Sequence, residues 1–190
     1  MKLSGSYQIN LEKQKVWDAL NDPKILQQAI PGCEEFKKDS ETKFIAKATN
    51  KIGPFNASFT GEVELKDLDP PNSYKITGSG NSPVGFASGE AKVKLEDSEG
   101  GTKLIYEVEA NVGGKIAQVG ARLIDMTAKK MADIFFGKFS ELISPRENLD
   151  TSNISTNINS NDTNKNNKIN KKLIYLVGGI AVLGILYFMI

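Results

Sequence analysis

The sequence predicts an α+β domain, a curved antiparallel sheet of about seven strands around one long C-terminal helix. Three observations carry this. Apolar and polar residues alternate in successive short runs between residues 33 and 112, each bounded by turn-forming residues. From residue 115 to 143 the apolar period lengthens to three and four, the spacing of an amphipathic helix. Strands joined by short polar turns pair as antiparallel neighbours, and their apolar face needs a helix to cover it.

Leu3, Gly5, Tyr7 and Ile9 alternate as a half-buried first strand. Asn10 then offers an N-cap for a helix through Val16, Trp17 and Leu20. A second short helix starts at Pro23 and ends near Ile30, where Pro31-Gly32 breaks it. Six strands are expected over residues 33–38, 43–51, 55–67, 73–79, 85–97 and 102–112. The long helix carries Ile116, Val119, Gly120, Leu123, Thr127, Met131, Ile134, Phe135 and Leu142 on its expected inward face, with Gly113-Gly114 as a hinge into it. Ser144-Pro145 stops it.

The folded domain is thus expected over residues 1–146. Residues 148–172 include nine asparagines with many Ser, Thr and Lys, a composition that buries too little apolar surface to offset chain entropy. A disordered linker over 147–172 is expected, its reach roughly 25–30 Å as a flexible coil. Residues 173–190 are 18 uncharged, almost wholly apolar residues. As a helix they span about 27 Å, close to the thickness of a bilayer's hydrocarbon core, and are expected to form a transmembrane tail anchor. Tyr175 and Tyr187 suit the two interfaces, and Lys165, Lys168, Lys171 and Lys172 place the N-terminal side, with the domain, in the cytoplasm and near anionic headgroups. No export signal is read at the N-terminus.

Lys and Arg number 24 against 23 Asp and Glu, a balance that argues against nucleic acid as a partner. The chain contains no histidine, which removes the usual general base, the Ser-His-Asp and Cys-His arrangements and the commonest zinc ligand. Enzymatic chemistry would fall to carboxylate, Lys or Tyr. Cys33, one residue after a Pro-Gly breaker and with no histidine to activate it, reads as a packing residue. No catalytic or metal-ligating set is expected.

The inward face of the sheet is unusually small: Ala46, Ala48, Ala57, Gly61, Gly78, Gly89, Ala91 and Ala110 alternate into it. Interiors pack at crystal-like density, so something compensates, either a cavity for an apolar ligand or bends that bring a helix close. Pattern alone leaves both open. The glycines of residues 78–85 lack the order of a phosphate loop and read as a hairpin.

Val16-Trp17-Asp18-Ala19-Leu20 with Asp22-Pro23, Ile30-Pro31-Gly32-Cys33, and Gly53-Pro54-Phe55 leading into Phe59-Thr60-Gly61 resemble the CoxG family of carbon monoxide dehydrogenase subunits. The resemblance continues through Gly89-Glu90-Ala91-Lys92-Val93-Lys94-Leu95, Gly101-Thr102 with Tyr106, Gly113-Gly114-Lys115-Ile116-Ala117, Arg122-Leu123-Ile124-Asp125 and Phe135-Phe136. It implies the helix-grip fold of the START-like, or SRPBCC, superfamily, with an apolar cavity between sheet and helix. The expected lining is Phe59, Gly61, Ile76, Gly78, Phe86, Gly89, Ala91, Tyr106 and Val108 from the strands, with Val119, Gly120, Leu123, Thr127 and Met131 from the helix. It further implies a non-enzymatic accessory protein that binds a quinone or lipid non-covalently and recruits a molybdenum-containing hydroxylase of the carbon monoxide dehydrogenase type to the membrane. The alternatives are a cyclase- or hydratase-like enzyme using Tyr106 or a carboxylate, and a protein tether without ligand.

Overall fold

The computed structural model describes residues 1–144; the expected linker over 147–172 and tail anchor over 173–190 lie outside them. Among the described residues no helix is long and apolar enough to cross a membrane. The elements run β1 (Lys2–Ile9), α1 (Lys13–Ala19), α2 (Pro23–Ala29), β2 (Cys33–Lys38), β3 (Lys43–Ile52), β4 (Phe55–Asp69), β5 (Ser73–Ser82), β6 (Gly85–Ser98), β7 (Gly101–Gly114), a 3-10 turn (Lys115–Val119) and α3 (Ala121–Ile143).

One seven-stranded sheet has the order β1-β7-β6-β5-β4-β3-β2, antiparallel throughout. From β2 to β7 each strand pairs with its neighbour in sequence, and β1 pairs with β7. Alternation does what it predicts: Phe44, Ala46 and Ala48 of β3 are buried while Lys43, Ile45 and Lys47 are exposed. Charges at alternate positions stay in solvent and pair along their own strands, Lys66 with Glu64 at 3.2 Å and Lys94 with Glu96 at 2.7 Å.

The helices depart from expectation in three places. Asn10 caps nothing: α1 starts at Lys13 behind Glu12, without a side-chain cap. The reason is tertiary, because Thr102 Oγ1 of β7 donates to the Leu11 carbonyl at 2.7 Å and keeps the chain turning beyond β1. In α2, by contrast, Pro23 opens the helix as predicted, and the Asp22 carboxylate accepts from the Lys24 amide at 2.8 Å.

The second departure is at the long helix. Gly113-Gly114 is no hinge; it extends β7, paired with Phe86 and Gly85. Residues 115–119 form the 3-10 turn, and Gly120, at φ 90°, separates it from α3. A left-handed φ suits glycine because it has no Cβ. A 3-10 turn also repeats at three residues, so the apolar spacing runs through the break unaltered.

The third departure is the face of α3. Ile124, Ala128, Ala132, Phe135, Phe136 and Phe139 are buried, whereas Leu123 and Ile134 are 37% and 44% exposed. The face expected from Leu123, Thr127, Met131 and Ile134 is a flank, one residue out of phase with the buried stripe. Both stripes repeat at three and four. Phe135 belongs to both, and Ile124, Ala128, Ala132, Phe136 and Phe139 set the buried stripe apart.

Candidate functional site

Directly paired residues on antiparallel strands share a face, so the register lays out the inward surface row by row. One row runs Ala46, Gly61, Gly80, Ala87, Val112, and the next Phe44, Val63, Gly78, Gly89, Ala110. Beyond them lie Leu65, Ile76, Ala91, Val108 and then Tyr74, Val93, Tyr106. The small residues therefore form a contiguous floor toward the end of the sheet where the β3–β4 and β5–β6 turns lie. Gly80 and Ala87 belong to it; they continue the alternation of Gly78 and Gly89 but are not among the expected lining.

The helix over this floor is graded in size. Its first turns lie at the hairpin end: a Cβ placed on Gly53, in the β3–β4 turn, would be 3.3 Å from both Leu123 Cδ2 and Val119 Cγ1. Its other end is aromatic, where Phe136 stacks on Tyr7 at 3.9 Å and on Tyr106 at 5.8 Å, with Phe135 5.0 Å from Phe136. Between these ends the residues that α3 buries are small, Ala128 and Ala132, and the element packed closest along α3 is α2.

Two of the glycines answer to the backbone. A Cβ on Gly61 would sit 2.5 Å from the Ser79 carbonyl oxygen, and one on Gly89 would sit 2.7 Å from Ala110 Cα. Neighbouring strands approach there more closely than any side chain permits, as a strongly bent sheet requires.

Of the remaining expected lining, Phe59, Ile76, Ala91, Tyr106 and Val108 are buried on the inward face. Phe86 points outward, 49% exposed, with its ring over Gly113. Val119 and Met131 are half-buried, Gly120 is exposed at the break, and the half-buried Thr127 donates from Oγ1 to the Leu123 carbonyl at 2.8 Å. The residues that α3 buries over this stretch are instead Ile124, Ala128 and Ala132. A concavity of about 510 Å³ lies elsewhere, on the outward face, among Lys75, Lys92, Lys94, Ile105 and Glu107.

Polar groups on the inward side are few. The Tyr74 hydroxyl is buried and has no hydrogen-bond partner, and the same holds for Asn21 Oδ1. The indole of Trp17 on α1 meets the Tyr74 ring edge-on at 5.2 Å. Such an orphaned group costs roughly 1–3 kcal/mol unless something completes it. Tyr7 donates its hydroxyl to the Asp133 carboxylate. Burial is the first cause that raises the pKa of Tyr7, Tyr74 and Tyr106 above the usual tyrosine value, so all three are held protonated as donors. Among the described residues no cluster of His, Cys, Asp or Glu has the makings of a metal site.

Cys33 is half-buried, with its Sγ 3.4 Å from the Glu35 carbonyl oxygen, and burial pushes the thiol up to about 11. At pH 8 its thiolate fraction is then ~100-fold below that of a free cysteine of pKa about 8.5. Alkylation by iodoacetamide at pH 8 is expected to be slower by at least that factor than for glutathione, rising about tenfold per pH unit. A rate equal to that of glutathione would contradict the packing role.

A bent antiparallel sheet, closed by a C-terminal helix and presenting an apolar inward face, defines a START-like, helix-grip domain. Solved structures agree: a conserved protein from Geobacillus kaustophilus matches with TM-score 0.72 and 30% identity over 75% of this chain and 95% of its own. A protein from Rhizobium leguminosarum (TM-score 0.58, 14% identity, 75% and 93% covered) and one from Thermus thermophilus (TM-score 0.57, 11% identity, 75% and 97% covered) share the fold. No curated protein matches the chain by sequence. The chain belongs to the CoxG family of carbon monoxide dehydrogenase subunits, whose model matches residues 5–144.

Proposed function

We propose that the domain is a non-catalytic accessory module that binds one apolar ligand with a polar head, a quinone or a lipid, between the small-residue floor and α3. It serves a molybdenum-containing carbon monoxide dehydrogenase or a related hydroxylase at the membrane. Family membership supports the partner. The observation that carries the ligand reading is the contiguous small-residue floor of Gly78, Gly80, Ala87 and Gly89, with the buried, unpartnered Tyr74 hydroxyl beyond its far edge. A quinone carbonyl or a lipid ester would complete that hydroxyl, while the apolar remainder runs along the floor toward the hairpins. The break at Gly120 leaves the first turns of α3 able to part from the β3–β4 turn. The apolar segment 173–190 would hold the domain beside the pool in which such a ligand dissolves.

The inward ionisable groups are tyrosines held protonated, which suits donation to a ligand better than the general-base role of a cyclase or hydratase.

The test is to purify the full chain in mild detergent, extract it with organic solvent and search the extract for quinone by mass spectrometry. Bound quinone is expected, and Tyr74→Phe should weaken quinone rebinding about tenfold, the worth of one hydrogen bond, without lowering the melting temperature of the empty protein. A chain that emerges empty and rejects added quinone and phospholipid overturns the ligand reading.

A further inference from the structure

The hairpin end of the domain carries an apolar rim that the fold does not use. Met126 is 61% exposed, Phe86 49% and Leu123 37%, and these are three of the five exposed large hydrophobic residues among those described. The backbone brings them to one end. Val119 and Leu123 lie against the β3–β4 turn at Gly53, the Ile116 amide donates to the Val84 carbonyl of the β5–β6 turn at 3.1 Å, and the Phe86 ring covers Gly113. Exposed Pro54 and Pro83 sit at the two turns themselves.

Charge at this end has one sign. The three segments that build it, residues 50–57, 81–88 and 112–124, contain Lys51, Lys115 and Arg122 and no acidic residue, although the chain as a whole is nearly neutral. The first carboxylate beyond them on α3 is Asp125. All three cations are exposed. Lysines elsewhere on the sheet sit beside carboxylates, as Lys2 does with Glu109 at 2.7 Å and Lys47 with Glu34 at 2.8 Å. Apolar side chains ringed by cations match one surface chemistry, the interface of an anionic bilayer, where rings and thioethers enter the acyl boundary and cations meet headgroup phosphates.

We infer that the hairpin end, through Phe86, Leu123 and Met126 with Lys51, Lys115 and Arg122, docks directly on an anionic lipid surface. The inference goes beyond the ligand reading and does not need it. Docking at this end would turn the side of the domain where α3 meets the β3–β4 turn toward the lipid, whereas a tether alone leaves orientation free.

The experiment places the full chain in quinone-free vesicles of phosphatidylcholine, or of phosphatidylcholine with about 30% phosphatidylglycerol, and follows amide hydrogen exchange by mass spectrometry. Because the readout is local, capture of the chain by residues 173–190 does not mimic it. Exchange in peptides over 51–56, 83–87 and 115–126 should slow at least tenfold on the anionic vesicles, and the effect should fade in about 0.5 M salt. The variant K51E/K115E/R122E should lose that protection, since three interfacial charges amount to roughly 100-fold in binding, while keeping the wild-type circular dichroism spectrum. Phe86→Ser should weaken it independently of charge. Equal exchange on both vesicle types, protection elsewhere on the sheet, or protection that appears only after a purified hydroxylase is added would each overturn the inference, the last by assigning the face to a protein. Since no quinone is present, failure here leaves the extraction result untouched.

Discussion

Phe136→Ala is expected to lower the unfolding free energy of the domain by about 3–5 kcal/mol, the usual cost of deleting a core phenylalanine ring. The ring is 1% exposed and stacks between Tyr7 of β1 and the neighbouring rings of Tyr106 and Phe135. Those partners come from β1, β7 and α3, so the cavity left behind has no single element that can collapse into it. The loss should also loosen the Tyr7 hydroxyl from Asp133, which lies on the same helix three residues earlier. Against a total stability on the order of 5–15 kcal/mol this is a large fraction. Thermal unfolding followed by circular dichroism should show a midpoint lower by roughly 10–20 °C. A shift of under about 2 °C would mean that α3 is not held to the sheet through this cluster. Phe86→Ala, which removes the same ring from an exposed position, should change the midpoint little.

The contrast between Phe86 and Phe136 shows how much could be read before the structure. Sheet, meander and terminal helix were legible because a period of two is unforgiving: a slip by one residue would expose Phe44, Phe59, Ile76 and Leu104 together, all buried. The phase of α3 was not legible. Leu123, Met131 and Ile134 set against Ile124, Phe136 and Phe139 leave a count of apolar bulk undecided between the two stripes, and in the middle of the helix the buried stripe carries only Ala128 and Ala132. Whether a helix face wants large or small side chains depends on the register of strands far away in sequence, and the pairing of Gly78 with Gly89 is not written locally. On the strands every residue of the expected lining except Phe86 lies on the inward face, while on the helix the expected residues run out of phase with the buried stripe. Tyr74 could have been singled out, since it alternates inward one row beyond Ile76; what no pattern reveals is that its hydroxyl has no partner.

Small residues on a sheet face have two readings, and substitution separates them. Gly89→Val should destabilise the domain by about 3 kcal/mol, at the upper end for overpacking, because the new Cβ would run into the Glu109 carbonyl and the Ala110 backbone. Those are main-chain atoms fixed by the β6–β7 ladder, and no rotamer relieves the clash. The requirement at Gly89, as at Gly61, is for bending. Ala128→Leu adds comparable volume at a buried position of α3. If the floor and α3 enclose room for a ligand, this change should cost under about 1 kcal/mol while abolishing quinone binding, since the leucine fills the space the ligand would take. Denaturant titration and the quinone rebinding assay on the same two proteins give the answer. Should Ala128→Leu destabilise as severely as Gly89→Val, the space beside Ala128 is already filled and leaves no room for a ligand. The small residues would then all serve the bend, and the domain would act on its partner through its surface alone.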